Sequence, residues 1–242
     1  MKKRLDREKK MIILGSSNWD LAIGKLEEIW KKWAGNQLNI AKIPYGQYRI
    51  LLQKKESKLL VGQDVVLIAE RIEDFLPRPF SFLTDENRVV VEDRIVEWLS
   101  TIDSIRQQTE AVVYILSFAP ITSLSSTLSY EEYIDTQKWL GRLNMHLSEK
   151  VEKLTNVQII PLGRLVNTVG SNNSDPKKYH QLGRAPYSNQ LIASIGTELV
   201  SRELSAQGKT SRVLVLDLDN TIWGGVIGED GLEGIKLDND YP

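Results

Sequence analysis

Two aspartates stand one residue apart late in the chain, in Asp217-Leu218-Asp219-Asn220-Thr221, directly after the apolar run Val213-Leu214-Val215-Leu216. Along an extended strand, alternation sends the side chains of Asp217 and Asp219 to the same side. In open parallel sheets the carboxyl end of a strand is where ligands bind. Two carboxylates so close repel each other, and a divalent cation between them relieves the repulsion; hard oxygen ligands favour Mg²⁺. One carboxylate could then attack a phosphoryl group while the other moves protons. Thr221 supplies a hydroxyl and Trp223-Gly224-Gly225 a flexible backbone. The plain alternative is a strand-to-turn junction with Asp as turn former, and the flanking apolar run and Trp-Gly-Gly weigh against it.

The five residues resemble the first motif of the haloacid-dehalogenase (HAD) superfamily, D-x-D-x-T. The resemblance implies Asp217 as phosphoaspartyl nucleophile and metal ligand. It implies Asp219 as general acid/base with its backbone carbonyl as second metal ligand, Thr221 as a phosphate contact, and Mg²⁺ as cofactor. The longer string from Leu216 to Leu237, LDLDNTIWGGVIGEDGLEGIKL, is similar to the FkbH-like proteins, which join an SGNH-hydrolase-like domain to a HAD phosphatase domain. For such a protein the resemblance implies a three-carbon phosphate substrate resembling 1,3-bisphosphoglycerate and delivery of a glyceryl unit to an acyl carrier protein in polyketide-type biosynthesis. Some glyceryl-transferring relatives carry Cys inside the motif; here that position is Leu218, and the chain has no cysteine. The later HAD motifs lie beyond Pro242, so the 242 residues alone are expected to turn over no phosphate.

The SGNH resemblance directs attention to Gly15-Ser16-Ser17 after the first apolar run, where Ser17 falls at the nucleophile position. A serine nucleophile needs a base and an oxyanion hole. Where SGNH enzymes carry an oxyanion Asn, this chain has Ala69-Glu70-Arg71-Ile72-Glu73, with Glu73 near the Asn position. Where they carry the Asp and His before the last helix, it has Leu182 and Ala185. The histidines are His146, inside a long helical pattern, and His180, five residues early. A serine esterase or acyltransferase using Ser17 is therefore the second alternative, behind a non-catalytic docking module; Ser16 and Ser17 as caps of the next helix are the simpler reading. Arg184 and Tyr187 are candidates to meet a phosphate or pantetheine arm at the sheet edge, against a plain Pro-containing turn. Tyr45 to Arg49 could line the same cleft.

Positioning these groups falls to alternating apolar runs and helical patterns. Runs at Met11–Gly15, Leu38–Ile43, Asp64–Glu70, Ala111–Phe118, Val157–Leu162 and Arg212–Asp219 read as strands. Between them lie patterns with apolar residues three and four apart: Leu21–Trp33, Asn87–Gln108, Ser129–Leu154 and Ser188–Gly208. Ser129 with Glu132 makes a capping box, Ser188 a second N-cap, and Gly208 a stop. Strands joined by helices lie parallel. The expectation is an α/β protein: a charged tail over 1–10, a doubly wound parallel sheet (SGNH/flavodoxin-like) over 11–207, a linker at 208–211, and over 212–242 the first strand of an incomplete Rossmann-like HAD domain.

Composition narrows the partners. Net charge is -1, which leaves no electrostatic footprint for nucleic acid. No apolar run approaches the roughly 20 residues of a membrane span, and the basic N-terminus lacks the apolar core of a signal peptide. The chain is expected in the cytoplasm. The absence of cysteine excludes disulfides and thiolate catalysis on these residues.

Overall fold

The computed structural model describes residues 7–44, 46–53, 58–76, 85–119, 129–174, 183–209 and 215–237. Five of the apolar runs pair as one all-parallel sheet: β1 (Lys9–Leu14), β2 (Leu38–Ala41), β3 (Val65–Ile68), β4 (Val112–Leu116) and β5 (Val157–Ile160), in the order β2-β1-β3-β4-β5. Every residue of β3 is buried, as expected of a central parallel strand covered on both faces. Register is fixed by pairs such as Ile13 with Leu67 and Leu67 with Tyr114. Strand β1 starts earlier than the sequence suggests. Lys9 and Lys10, assigned above to a charged tail, open the strand because their polar groups are met: Lys9 Nζ reaches Glu203 at 3.4 Å, and Lys10 N–H donates to Asp64 at 2.9 Å.

The sheet order makes the chain run outward in one direction through helix α1 (Asp20–Ala34) to β2, and in the other from β3 through helices α3 (Asp85–Gln108) and α4 (Tyr130–Val151). Right-handed crossovers then place α1 and the α3/α4 pair on opposite faces. The side chains agree. Ile12, Leu14, Val66, Ile68, Val113 and Ile115 share one core with Val91, Ile95, Trp98, Ile102 and Ile105 of α3 and with Trp139, Leu143 and Leu147 of α4. The other face holds Met11, Ile13, Val65, Leu67 and Tyr114. Tyr114 donates its hydroxyl hydrogen at 2.8 Å to Glu203 of helix α7 (Asn189–Ala206), and α7 meets α1 where a Cβ on Gly196 would lie 3.2 Å from Leu26.

Helix α3 forms despite its valines because its buried residues recur three and four apart, leaving Val89 and Val96 exposed. Polar links tie it to α4: Arg88 to Asp135 and, at 3.3 Å, to Thr136 Oγ1, Trp139 Nε1 to Glu92 at 2.7 Å, and Lys150 to Asp103. The Ser129/Glu132 capping box is present in full, with Glu132 N–H donating to Ser129 Oγ at 3.2 Å and Ser129 N–H to Glu132 Oε2 at 2.8 Å. Ser188 caps α7 through Leu191 N–H at 3.2 Å. Further helical segments among the described residues of this part are α2 (Tyr48–Gln53), a 3₁₀ turn (Ile72–Phe75), α5 (Leu162–Val169) and α6 (Ser171–Ser174).

The chain divides into two compact units, Met1–Glu203 and Leu204–Pro242. In the second, the expected sixth strand is not formed over residues 215–218, which lie in no ladder. A strand is held by a neighbour's backbone, and here the Leu218 carbonyl instead accepts from Thr221, Ile222 and Trp223 N–H, folding the chain back on itself. Val215, Leu216 and Leu218 are exposed. The turn continues through the short helix α8 (Ile227–Asp230), and Gly224 and Lys236 exchange backbone hydrogen bonds at 2.9 and 2.8 Å.

Candidate functional site

Strands β1 and β3 are neighbours whose following helices depart to opposite faces, and such a switch point opens a crevice at their carboxyl ends. Gly15 lets the two strand ends close tightly there: a Cβ would sit 2.6 Å from the Ala69 carbonyl oxygen, closer than any side chain tolerates. Ser16 follows β1, and Glu70 follows β3. The Glu70 carboxylate is buried and accepts four hydrogen bonds. Its Oε2 receives Ser16 N–H at 2.9 Å, and its Oε1 receives Ser16 Oγ at 3.0 Å, Tyr48 OH at 2.6 Å and Arg49 Nη2 at 2.9 Å. Tyr48 OH in turn accepts from Trp98 Nε1 at 3.1 Å and Arg49 Nε at 3.2 Å. Burial first, then the Glu70 charge, pushes the Tyr48 phenol far above its ordinary pKa, so it stays a neutral donor.

A second polar group lies beside it. Arg71 pairs with Glu73 at 2.8 Å and stacks over Tyr187, whose ring meets Trp19 edge-on at 6.0 Å. Burial drives the Tyr187 phenol strongly upward. Asp74 accepts from Arg71 N–H at 3.2 Å, closing the first turn of the 3₁₀ segment. Burial, followed by the Glu70 charge, raises the Asp74 carboxyl from 3.8 to about 6. Its folded-state pKa lies above the unfolded one, so between about pH 4 and pH 6 the folded chain holds more proton and loses stability as pH rises. Asp74→Asn should remove this slope, which is worth on the order of 2 kcal/mol. Urea midpoints of both chains at pH 4.5 and 7 check it; equal pH differences for the two would refute the assignment.

Ser17, the candidate nucleophile, is buried, and its Oγ has no hydrogen-bond partner among the described residues; Trp19 Nε1 is in the same condition. Both line a pocket with Ile13, Ile23, Ile40 and Lys42 that has about 20 Å³ of room, enough for one water molecule. His146 is exposed on α4, and His180 and Leu182 lie outside the described residues. Glu73 belongs to the Arg71 pair, so the carboxylate facing the serine turn is Glu70. Arg184 adopts a left-handed backbone, φ 56°, and its carbonyl accepts from Asn18 N–H at 2.9 Å, which ties the turn before α7 to the serine turn. Of the Tyr45–Arg49 stretch, Tyr48 and Arg49 reach the crevice and Tyr45 lies outside the described residues.

In the second unit Asp217 is exposed and makes no hydrogen bond among the described residues. Asp219 Oδ1 accepts from Trp223 Nε1 at 3.1 Å and Ile227 N–H at 3.3 Å. Asn220 takes the left-handed conformation, φ 54°, and its Oδ1 receives Gly225 N–H at 2.9 Å. Thr221 is exposed, its N–H spent on Leu218. Among the described residues no group of three or more His, Cys, Asp or Glu side chains is placed to hold a metal ion. Magnesium, however, binds through one or two carboxylates together with waters and substrate phosphate. Asp217 is an exposed carboxylate of that kind, whereas one oxygen of Asp219 already accepts two hydrogen bonds.

The fold and the crevice define an α/β protein of the doubly wound class. Its fold matches the N-terminal part of protein BF1531 from Bacteroides fragilis, a structure containing a phosphatase domain and complexed with Mg, at a TM-score of 0.73 and 20% identity. The match covers 99% of this chain and 63% of that one, so this chain spans under two thirds of that structure. The lipase Lip_vut3 from a goat rumen metagenome matches at a TM-score of 0.50 and 16% identity, over 83% of this chain and 98% of the lipase. At these identities the likeness is one of fold. No protein-family model matches the chain, and no curated protein matches it. Among the described residues no helix is long and apolar enough to cross a membrane.

Proposed function

We propose that the chain belongs to an FkbH-like protein: a Mg²⁺-dependent, HAD-type phosphatase and glyceryl transferase acting on a three-carbon phosphate and delivering to an acyl carrier protein. One observation carries this reading. The Asp217-Leu218-Asp219-Asn220-Thr221 motif directly follows an α/β unit, in a chain whose fold follows the N-terminal part of a protein with a Mg-bound phosphatase domain along nearly its whole length.

The residues divide the chemistry between them. Asp217, exposed and unengaged among the described residues, is the nucleophile: a carboxylate oxygen forms a bond to phosphorus as the bond to the leaving oxygen breaks. Asp219, held by the Trp223 indole and the Ile227 N–H, gives a proton to that leaving oxygen and later takes one from the water that hydrolyses the aspartyl phosphate. Thr221 offers its hydroxyl to a phosphoryl oxygen. Magnesium, when bound by Asp217 and Asp219, supplies the positive charge that offsets the carboxylates and the phosphoryl group. The first unit serves as a docking module for the carrier protein. That reading is preferred to a serine esterase because Ser17 is buried and no base stands by it among the described residues.

The full-length protein should hydrolyse an aryl phosphate with Mg²⁺ and stop in EDTA, with activity restored by excess Mg²⁺. Incubated with 1,3-bisphosphoglycerate and a carrier protein, it should add a glyceryl mass to the carrier. EDTA-resistant hydrolysis would remove the HAD assignment. An unmodified carrier alongside Mg²⁺-dependent hydrolysis would leave a phosphatase and remove the transferase.

A further inference from the structure

The Glu70 cluster is composed on one side of donors alone. Ser16 offers its N–H and its hydroxyl, Tyr48 its hydroxyl, and Arg49 a guanidinium edge, all within 2.6–3.0 Å of one carboxylate. The donors are themselves braced. The Tyr48 hydroxyl is fixed by the Trp98 indole, and the Arg49 guanidinium lies over the rings of Tyr48 and Phe75, at 5.7 and 5.4 Å. The Glu70 side chain has no exposed surface, whereas that of Arg49 is 38% exposed, so the cradle reaches solvent along the arginine. Its place between the ends of β1 and β3 is where open α/β sheets receive their ligands.

We propose that this crevice is a small-carboxylate binding site that the chain occupies with its own Glu70, and that this internal occupant closes the switch point of the first unit to outside ligands. Four converging donors, one of them charged, are what a carboxylate requires and what an apolar or cationic group could not satisfy. The arrangement also explains why a unit with a hydrolase-like fold presents a buried polar plug where a substrate would enter. The inference concerns the first unit alone and stands or falls independently of the phosphatase reading.

The side-chain piece lost in Glu70→Ala, one carbon and a carboxylate, has the composition of acetate, which is therefore the probe. Melting of the chain is followed by circular dichroism for the unaltered chain, Glu70→Ala and Glu70→Gln. Glu70→Ala should melt at least about 5 °C lower. Acetate should recover most of that loss in a saturable manner, with a dissociation constant on the order of millimolar, within the ceiling for so small a ligand. Acetamide, chloride and phosphate at the same concentrations should not. The unaltered chain and Glu70→Gln, whose cradles remain filled, should not respond to acetate. The proposal is overturned if acetate shifts all three chains alike, if acetamide or phosphate serves as well, or if Glu70→Ala is unfolded and remains so in saturating acetate.

Discussion

Asp217→Asn is expected to lower Mg²⁺-dependent hydrolysis of an aryl phosphate by the full-length protein at least about a thousandfold, since it removes the atom that bonds to phosphorus. The amide is nearly the same size as the carboxylate and the side chain is exposed, so the fold should be untouched. Asp219→Asn should behave differently. That side chain holds the turn through Trp223 and Ile227, and an amide oxygen keeps both hydrogen bonds while it can no longer carry the proton. Its loss should therefore be smaller for an aryl leaving group, which departs readily without a proton, than for an alkyl phosphate. Steady-state rates with both substrates make the test. Full activity in Asp217→Asn would remove the nucleophile from this position, and equal losses of kcat/KM with both leaving groups would remove the proton-donating role of Asp219, since kcat/KM excludes the later hydrolysis of the aspartyl phosphate that both substrates share.

The second large effect is structural. Trp98 is 1% exposed, packs against Phe75 at 5.6 Å and Phe118 at 5.7 Å, and donates its indole N–H to Tyr48. Trp98→Ala should cost about 3–5 kcal/mol, because it opens a large cavity. It also deprives the Tyr48 hydroxyl of a donor beside the Glu70 carboxylate. Against a total of about 5–15 kcal/mol, that removes a major share of stability. Trp33 is the internal control: it is 54% exposed on α1 and touched by Lys32. Trp33→Ala should fall within about 0.5 kcal/mol of the unaltered chain. Urea midpoints read by far-ultraviolet circular dichroism give the comparison, and similar costs for the two would contradict the described core.

The two predictions probe different levels of the molecule. The first depends on side-chain chemistry in a short self-bonded turn. The second depends on a core formed between residues fifty positions apart, where a change of packing reaches the crevice through Tyr48. The Asp74 slope lies between these extremes, since its cause is burial next to a charge rather than a contact that the sequence displays.

Local patterns settled much of this protein before any tertiary contact was known. Continuous apolar runs and three-and-four spacing marked the strands and long helices, because burial of one face requires that periodicity. Ser129, Glu132 and Ser188 announced their caps because those bonds span three residues. The Asp217 motif could be named from adjacent residues, but its chemistry is the proposal above, and the strand expected to carry it is not formed over residues 215–218. The crevice was not legible in this way. Tyr48 and Arg49 were candidates to line a cleft, but Glu70 looked like the polar end of a strand and Ser16 like a cap, so the cluster they form together did not show. The available signal was a carboxylate closing an all-apolar strand, since such a charge must find donors. Which donors it finds depends on β1 and β3 lying side by side across more than fifty residues of chain. Neighbouring strands also decide whether an apolar run such as 215–218 is a strand at all, because a ladder needs a partner's backbone and periodicity alone does not provide one.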